Sequence, residues 1–257
     1  MTELAESTAL SLLLPFFAAL VLSMVCSMGG VSGAFLLVPL QMLLLGGAGP
    51  EVSANSHLFN VLATPGGVFR HARAGRLLWP LALPLCAGSV TGLAAGVRLR
   101  TNWLADGAAF PIFAALLLLL IAAGMARSLA RGARTQNRAP VEGIGAESVS
   151  LSPARLVLRF SDRTCTVGVP ALLAMSLAVG IAGGAYGIGG GSLVSPLLAA
   201  AFGLPVRAIA GAALFSTFCT SAAALPLYGM RLAETGGVAA DWTLGIVLGL
   251  GGMIGIW

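Results

Sequence analysis

The chain has 257 residues and a formal net charge of +5, with 58% hydrophobic and 9% charged residues and a mean hydropathy of +0.96. It is far too apolar for a water-soluble domain. The positive charge calls for no nucleic-acid partner, because arginine collects in the cytoplasmic loops of membrane proteins.

Uninterrupted apolar runs, such as 112–123 and 167–185, favour helices over the alternating strands of a barrel, so an all-α polytopic membrane protein is expected. Read by hydropathy, the spans fall near 9–28, 31–45, 52–69, 77–97 and 107–126, then 166–185, 188–202, 206–228 and 242–257. Glu3 and Glu6 with no arginine before the first span differ from the basic start of a cleaved signal, so the first helix is expected to be retained. Between 127 and 163 lies a polar stretch with seven arginines. It divides a first transmembrane repeat, 1–129, from a second, 166–257, through a cytoplasmic linker, 130–165.

The two halves are alike. Gly30, Gly33, Pro39 and Gly46 fall on Gly187, Gly190, Pro196 and Gly203 at one constant offset. Leu58-Phe59 matches Leu214-Phe215 after a one-residue slip, and Trp79, Gly88 and Gly92 match Trp242, Gly251 and Gly255. Arg70, Arg73, Arg76, Arg207 and the linker arginines are expected in the cytoplasm. Counting spans then sets the N-terminus and the 229–241 loop outside, in the inner (plasma) membrane. The halves start on opposite sides, the mark of an inverted repeat.

Each half carries a glycine-rich break, Ser27-Met28-Gly29-Gly30-Val31-Ser32-Gly33 and Tyr186-Gly187-Ile188-Gly189-Gly190-Gly191-Ser192. Glycine costs nearly 1 kcal/mol against alanine inside a helix, and broken helices survive at membrane depth only inside protein or beside a wet cavity. The runs that follow are short of a full crossing, so they read as half-helices or re-entrant segments. Their N-terminal amides would converge from opposite sides, and helix N-termini attract anions.

A small anionic substrate is therefore expected near the midplane, bound by backbone groups of Ser32, Gly33 and Ala34 and of Gly189, Gly190, Gly191 and Ser192. Asn55, Ser56, Ser216 and Thr217 add side-chain donors. Polar residues cluster in the following spans, including Ser53, Asn60 and Thr64 in one and Cys219, Thr220 and Ser221 in the other, as in helices that line a pathway. His57 is a candidate proton carrier, since an unperturbed histidine titrates near neutrality. Arg70, His71, Arg73 and Arg76 read as a topogenic loop. Cys26, Cys86, Cys165 and Cys219 form no CxxC pair, so neither a metal site nor a cofactor is expected. No GxxxxGK[ST] motif and no lysine occur, which argues against ATP-driven transport by this chain.

At Gly187 to Pro196 (GIGGGSLVSP), at Gly29 to Pro39 (GGVSGAFLLVP) and at Ser56 to Trp79, the chain resembles the sulfite exporter TauE/SafE family. The resemblance covers nearly the whole sequence. It implies a permease for sulfur-containing anions such as sulfite, thiosulfate or sulfoacetate. Where that family commonly has a Gly-Thr-Ser-like triplet, this chain has Gly211-Ala212-Ala213.

Two rival readings stand beside it. Gly30-Val31-Ser32-Gly33 is a GxSG tetrapeptide, which with His57 or His71 as base would make an intramembrane serine hydrolase. A passive anion channel is the other. Finally, the repeat register sets Trp257 in mid-helix, so the natural protein is expected to continue for roughly 30 to 40 residues through one more apolar span.

Overall fold

The computed structural model describes residues 2–28, 32–105, 108–135, 148–151, 154–160, 163–202, 204, 206–236 and 240–256. Gly29, Gly30 and Val31 of the first break lie outside the described residues. The first half forms α1 (Thr2–Met28), α2 (Ala34–Leu45), α3 (Pro50–Arg73), α4 (Trp79–Asn102) and α5 (Ala109–Thr135). The second forms α6 (Val169–Tyr186), α7 (Gly190–Phe202), α8 (Val206–Thr235) and α9 (Trp242–Ile256).

Local chemistry sets the ends. Pro50 opens α3 after an extended Gly49, a position where the missing N–H costs nothing. Gly46 closes α2 at φ 66°, its N–H donating to the Met42 carbonyl. Arg70, His71 and Arg73 occupy the last turn of α3, where cations suit the helix dipole.

The helices follow the expected spans but several run past their expected ends: α3 continues through Arg70 and His71 to Arg73, α5 to Thr135 inside the expected linker, and α8 to Thr235 inside the expected 229–241 loop. The fourth span is expected to end at Val97. In the structure α4 continues to Asn102, and Arg100 is fully buried. Two arginines two residues apart look like a loop, yet one of them turns inward.

The polar linker is expected to be a loop. Its described part is an antiparallel meander of β1 (Ser148–Leu151), β2 (Arg155–Phe160) and β3 (Arg163–Gly168). Leu156, Leu158 and Val167 are buried, so the alternation in Leu156-Val157-Leu158 is that of a strand with one covered face. The all-α character holds for the apolar helices, not for the linker.

The distribution of side chains is inside out relative to a soluble protein. Leu13, Leu14 and Phe17 of α1, Leu43 of α2, and Ile112, Leu116, Leu119 and Leu120 of α5 are exposed. Ser53, Asn55, Ser56, His57, Asn60 and Thr64 of α3 are buried. An apolar exterior of this extent belongs in lipid.

Among the described residues three helices, spanning Trp79–Asn102, Val169–Tyr186 and Ala208–Glu234, are long and apolar enough to cross a membrane. Five shorter apolar helices accompany them. The 24-residue α3 is absent from both groups because its middle is polar, and it is shielded by α2, α8 and α9.

Close packing on glycine fixes the helix directions. Gly88, Gly92 and Gly96 of α4 lie against the carbonyls of Leu173, Leu177 and Ile181 of α6, so α4 and α6 are parallel. Gly251 and Gly255 of α9 lie against the carbonyls of Phe16 and Leu20 of α1, and Gly245 and Gly249 lie against Leu58 and Leu62 of α3, so α1, α3 and α9 are parallel. Gly67 meets Leu214 and Gly211 meets His71, while His57 meets Ser221, so α8 runs opposite to α3. Ser89 of α4 meets Ser216 of α8 near one end, and Val97 shares a groove with Met230 near the other, which groups α8 with α4 and α6. Small residues at such crossings let backbones approach closely where no hydrophobic effect drives helices together.

Candidate functional site

The α6–α7 connection is three residues long. Gly187 takes φ 100° and donates its N–H to the Gly183 carbonyl at 2.9 Å, while Gly189 takes φ 70°. Both conformations favour glycine. The turn is also pressed between helices. A Cβ at Gly187 would come within 2.8 Å of the Ser53 backbone on α3, and one at Gly189 within 2.9 Å of Ser221 Oγ and Thr217 Cγ2 on α8. At Gly191 it would overlap the Ala213 carbonyl. The run Gly-Ile-Gly-Gly-Gly thus serves both backbone angle and contact.

The start of α2 faces this turn. Ser32 Oγ accepts from the Ala34 N–H at 3.2 Å and donates to Asn60 Oδ1 at 2.6 Å. Asn60 Nδ2 donates to the Gly187 carbonyl at 3.3 Å. One amide near the middle of α3 therefore ties the start of α2 to the α6–α7 turn. Tyr186 adds a second tie, its hydroxyl donating to the Phe35 carbonyl at 2.8 Å. At the start of α7, the Gly190 N–H donates to Thr220 Oγ1 at 2.8 Å, and Thr220 Oγ1 donates to the Ser216 carbonyl at 2.7 Å.

The other residues expected at the site divide into groups. Ser192, fully enclosed on α7, donates to the Ile188 carbonyl at 3.2 Å. Thr217 bonds the Ala213 carbonyl of its own helix at 3.0 Å, the local back-bonding that hydroxyls make inside helices. Ser216 reaches Ser89 of α4 at 3.4 Å. Ser56 accepts from Gln41 Nε2 of α2 at 2.9 Å. Asn55, Ser56 and Asn60 do not share partners: Asn55 is fully buried, yet neither of its amide atoms meets one among the described residues, and the same holds for Gln41 Oε1.

His57 is fully buried. Its Nδ1 is 3.1 Å from Ser221 Oγ and its Nε2 is 3.5 Å from the Gly184 carbonyl. A neutral ring satisfies both contacts, Nε2–H donating to the carbonyl and Nδ1 accepting from the hydroxyl. Tyr228 donates to the same carbonyl at 2.7 Å. The hydroxyl of Ser32 bonds Asn60 and the imidazole of His57 bonds Ser221, so these two are not a nucleophile–base pair.

Sequence reasoning missed Gln41, Ser89, Tyr228 and above all Arg100. Its Nε donates to Ser53 Oγ at 2.9 Å, and NH2 to the Ala48 and Gly49 carbonyls at 2.6 and 2.5 Å. NH1 donates to the Leu104 carbonyl, and the guanidinium stacks 3.6 Å from the Phe110 ring centre. The signal was present: Arg100 continues the four-residue spacing of Gly88, Gly92 and Gly96, the stripe that packs on α6.

The family model described as Sulfite exporter TauE/SafE matches residues 15–257. No curated protein and no solved structure matches the chain. With a match over nearly its full length, the chain belongs to the sulfite exporter TauE/SafE family of membrane transporters.

Proposed function

We propose that the protein is a secondary permease for a small sulfur-containing anion such as sulfite, thiosulfate or sulfoacetate, bound near the midplane between the two breaks. The observation that carries this reading is the Asn60 bridge, which joins Ser32 to the Gly187 carbonyl. Two helix starts, each with a partial positive charge and N–H donors, face one enclosed polar centre. In the structure the hydroxyls of Ser32 and Thr220 accept from the Ala34 and Gly190 amides. Those hydroxyls hold the positions that substrate oxygens take on binding, and Gly33, Gly189, Gly191 and Ser192 complete the cradle. Asn55, Ser56, Ser216 and Thr217 supply the surrounding side-chain donors, and His57 is the candidate proton carrier.

Residues 1–129 and 166–257 are two inverted repeats joined by the linker, 130–165. Leu173 and Leu177 stand at the offset that relates Gly30 to Gly187 from Phe16 and Leu20, and each pair meets the matching glycines: Gly88 and Gly92 in one case, Gly251 and Gly255 in the other. The hydroxyls of Thr64 and Thr220, a matched pair, both donate to the carbonyl four residues back at 2.7 Å. The antiparallel courses of α1 and α6 support inversion. Rocking of one half against the other along these glycine stripes would open the centre to each side in turn. Arginine placement supports an N-terminus outside the plasma membrane.

Ligand-dependent stability tests this reading. A ligand at a hundred times its dissociation constant adds about 2.7 kcal/mol to the folded state. The purified protein is expected to show a concentration-dependent rise in thermal midpoint with at least one of sulfite, thiosulfate and sulfoacetate, and none with zwitterionic taurine. Equal indifference to all three anions would contradict it.

A further inference from the structure

Resting on the permease reading, we infer that Arg100 is a specificity-determining residue, whose buried charge sets the preference of the central site for anions of higher charge. The guanidinium is fully buried, and among the described residues its hydrogen-bond partners are four neutral oxygens, Ser53 Oγ and the carbonyls of Ala48, Gly49 and Leu104. A buried cation held without a hydrogen-bonded carboxylate is costly, and within a membrane protein such groups mark substrate paths.

Its location connects it to the site. Ser53 Oγ accepts from Arg100 Nε and donates to the Ala185 carbonyl at 3.1 Å, two residues before Gly187. The Ser53 backbone itself touches Gly187. The charge therefore lies two hydrogen bonds from the turn, across protein of low dielectric. Phe110, beneath the guanidinium, is 6.1 Å from the ring of Tyr186, the last residue of α6. Clamped on every side, Arg100 does not leave with the substrate. It acts through space, raising the affinity for each negative charge that enters.

Glu51 provides an opposing control. Its carboxylate lies against Gly49, whose carbonyl accepts from Arg100, and it acts electrostatically on the guanidinium. It is only half-buried, in the first turn of α3.

The experiment measures saturable uptake of methanesulfonate, a monoanion, and sulfoacetate, a dianion, into proteoliposomes at low ionic strength, and reads the ratio of their KM values. A unit charge acting across about 10 Å at an effective dielectric of about 20 changes binding about tenfold per anion charge. Arg100→Gln is expected to raise the KM ratio of sulfoacetate to methanesulfonate about tenfold, and Arg100→Lys to keep it near the wild-type value. Glu51→Gln, which requires no change to the buried clamp, is expected to lower the ratio two- to threefold, a partly exposed charge being more strongly screened. Loss of insertion or of maximal rate in Arg100→Gln leaves Glu51→Gln to decide. A ratio unchanged by Glu51→Gln, or by an active Arg100→Gln, overturns the role of Arg100 while wild-type uptake keeps the permease reading intact. Wild-type protein without saturable uptake of any sulfur anion overturns the permease reading itself.

Discussion

Gly190→Val is expected to abolish anion uptake while the protein still inserts, and Ser89→Gly in the same chain is expected to restore part of the activity. The expected result follows from space at the start of α7. A Cβ at position 190 would overlap the side chain of Ser89 on α4 and come within 3.3 Å of Thr220 Cγ2 on α8. The same residue's N–H is held by Thr220 Oγ1. Overpacking of this kind costs about 1–3 kcal/mol, too little to prevent insertion of apolar helices but enough to move the amides that would hold substrate. Ser89→Gly removes the atoms in the way, so recovery in the double variant separates local crowding from general damage. Uptake normalised to the amount of protein in the membrane is the measurement, and normal uptake in Gly190→Val would refute the location of the site.

Asn60→Leu is expected to lower uptake at least tenfold and to reduce the thermal midpoint of the purified protein. The leucine fills a similar volume, but Ser32 Oγ and the Gly187 carbonyl lose the amide between them. A buried polar group left without a partner costs about 1–3 kcal/mol. Ser32→Ala is expected to cost less, about 1 kcal/mol, because Asn60 keeps its bond to Gly187. The two substitutions share one network, so Ser32→Ala added to Asn60→Leu should cost less than it does alone. Additive losses in stability and uptake would show that Asn60 does not couple the two helix breaks.

Much of this arrangement was legible in the sequence, and the unread parts have physical causes. Apolar runs located the helices because lipid forces backbone groups to pair within each segment. The matched glycines of the two breaks, and those at Gly88 and Gly251, were visible as a repeat. What they touch was not, since a glycine stripe identifies a close approach without naming the partner helix. Asn60 was visible as one of the polar residues clustered with Ser53 and Thr64 in the third span, yet sequence alone could not show that it joins Ser32 to Gly187. Arg100 was lost to a rule that is usually sound, that arginine marks a loop, because its acceptors are carbonyls, which carry no sequence signature. The linker meander escaped because short strands with a single covered face resemble loop in an arginine-rich segment.

Counterflow tests the central claim most directly. Proteoliposomes loaded with unlabelled sulfite and diluted into a trace of radiolabelled sulfite should accumulate label transiently above equilibrium, as a carrier with one site exposed alternately to each side requires. The overshoot should disappear with Gly190→Val and saturate with sulfite concentration. Thiosulfate and sulfoacetate, loaded in place of sulfite, extend the same measurement to the other anions. Label that equilibrates without overshoot for all three, or flux that rises linearly without saturation, would contradict an alternating-access permease and identify a passive conductance instead.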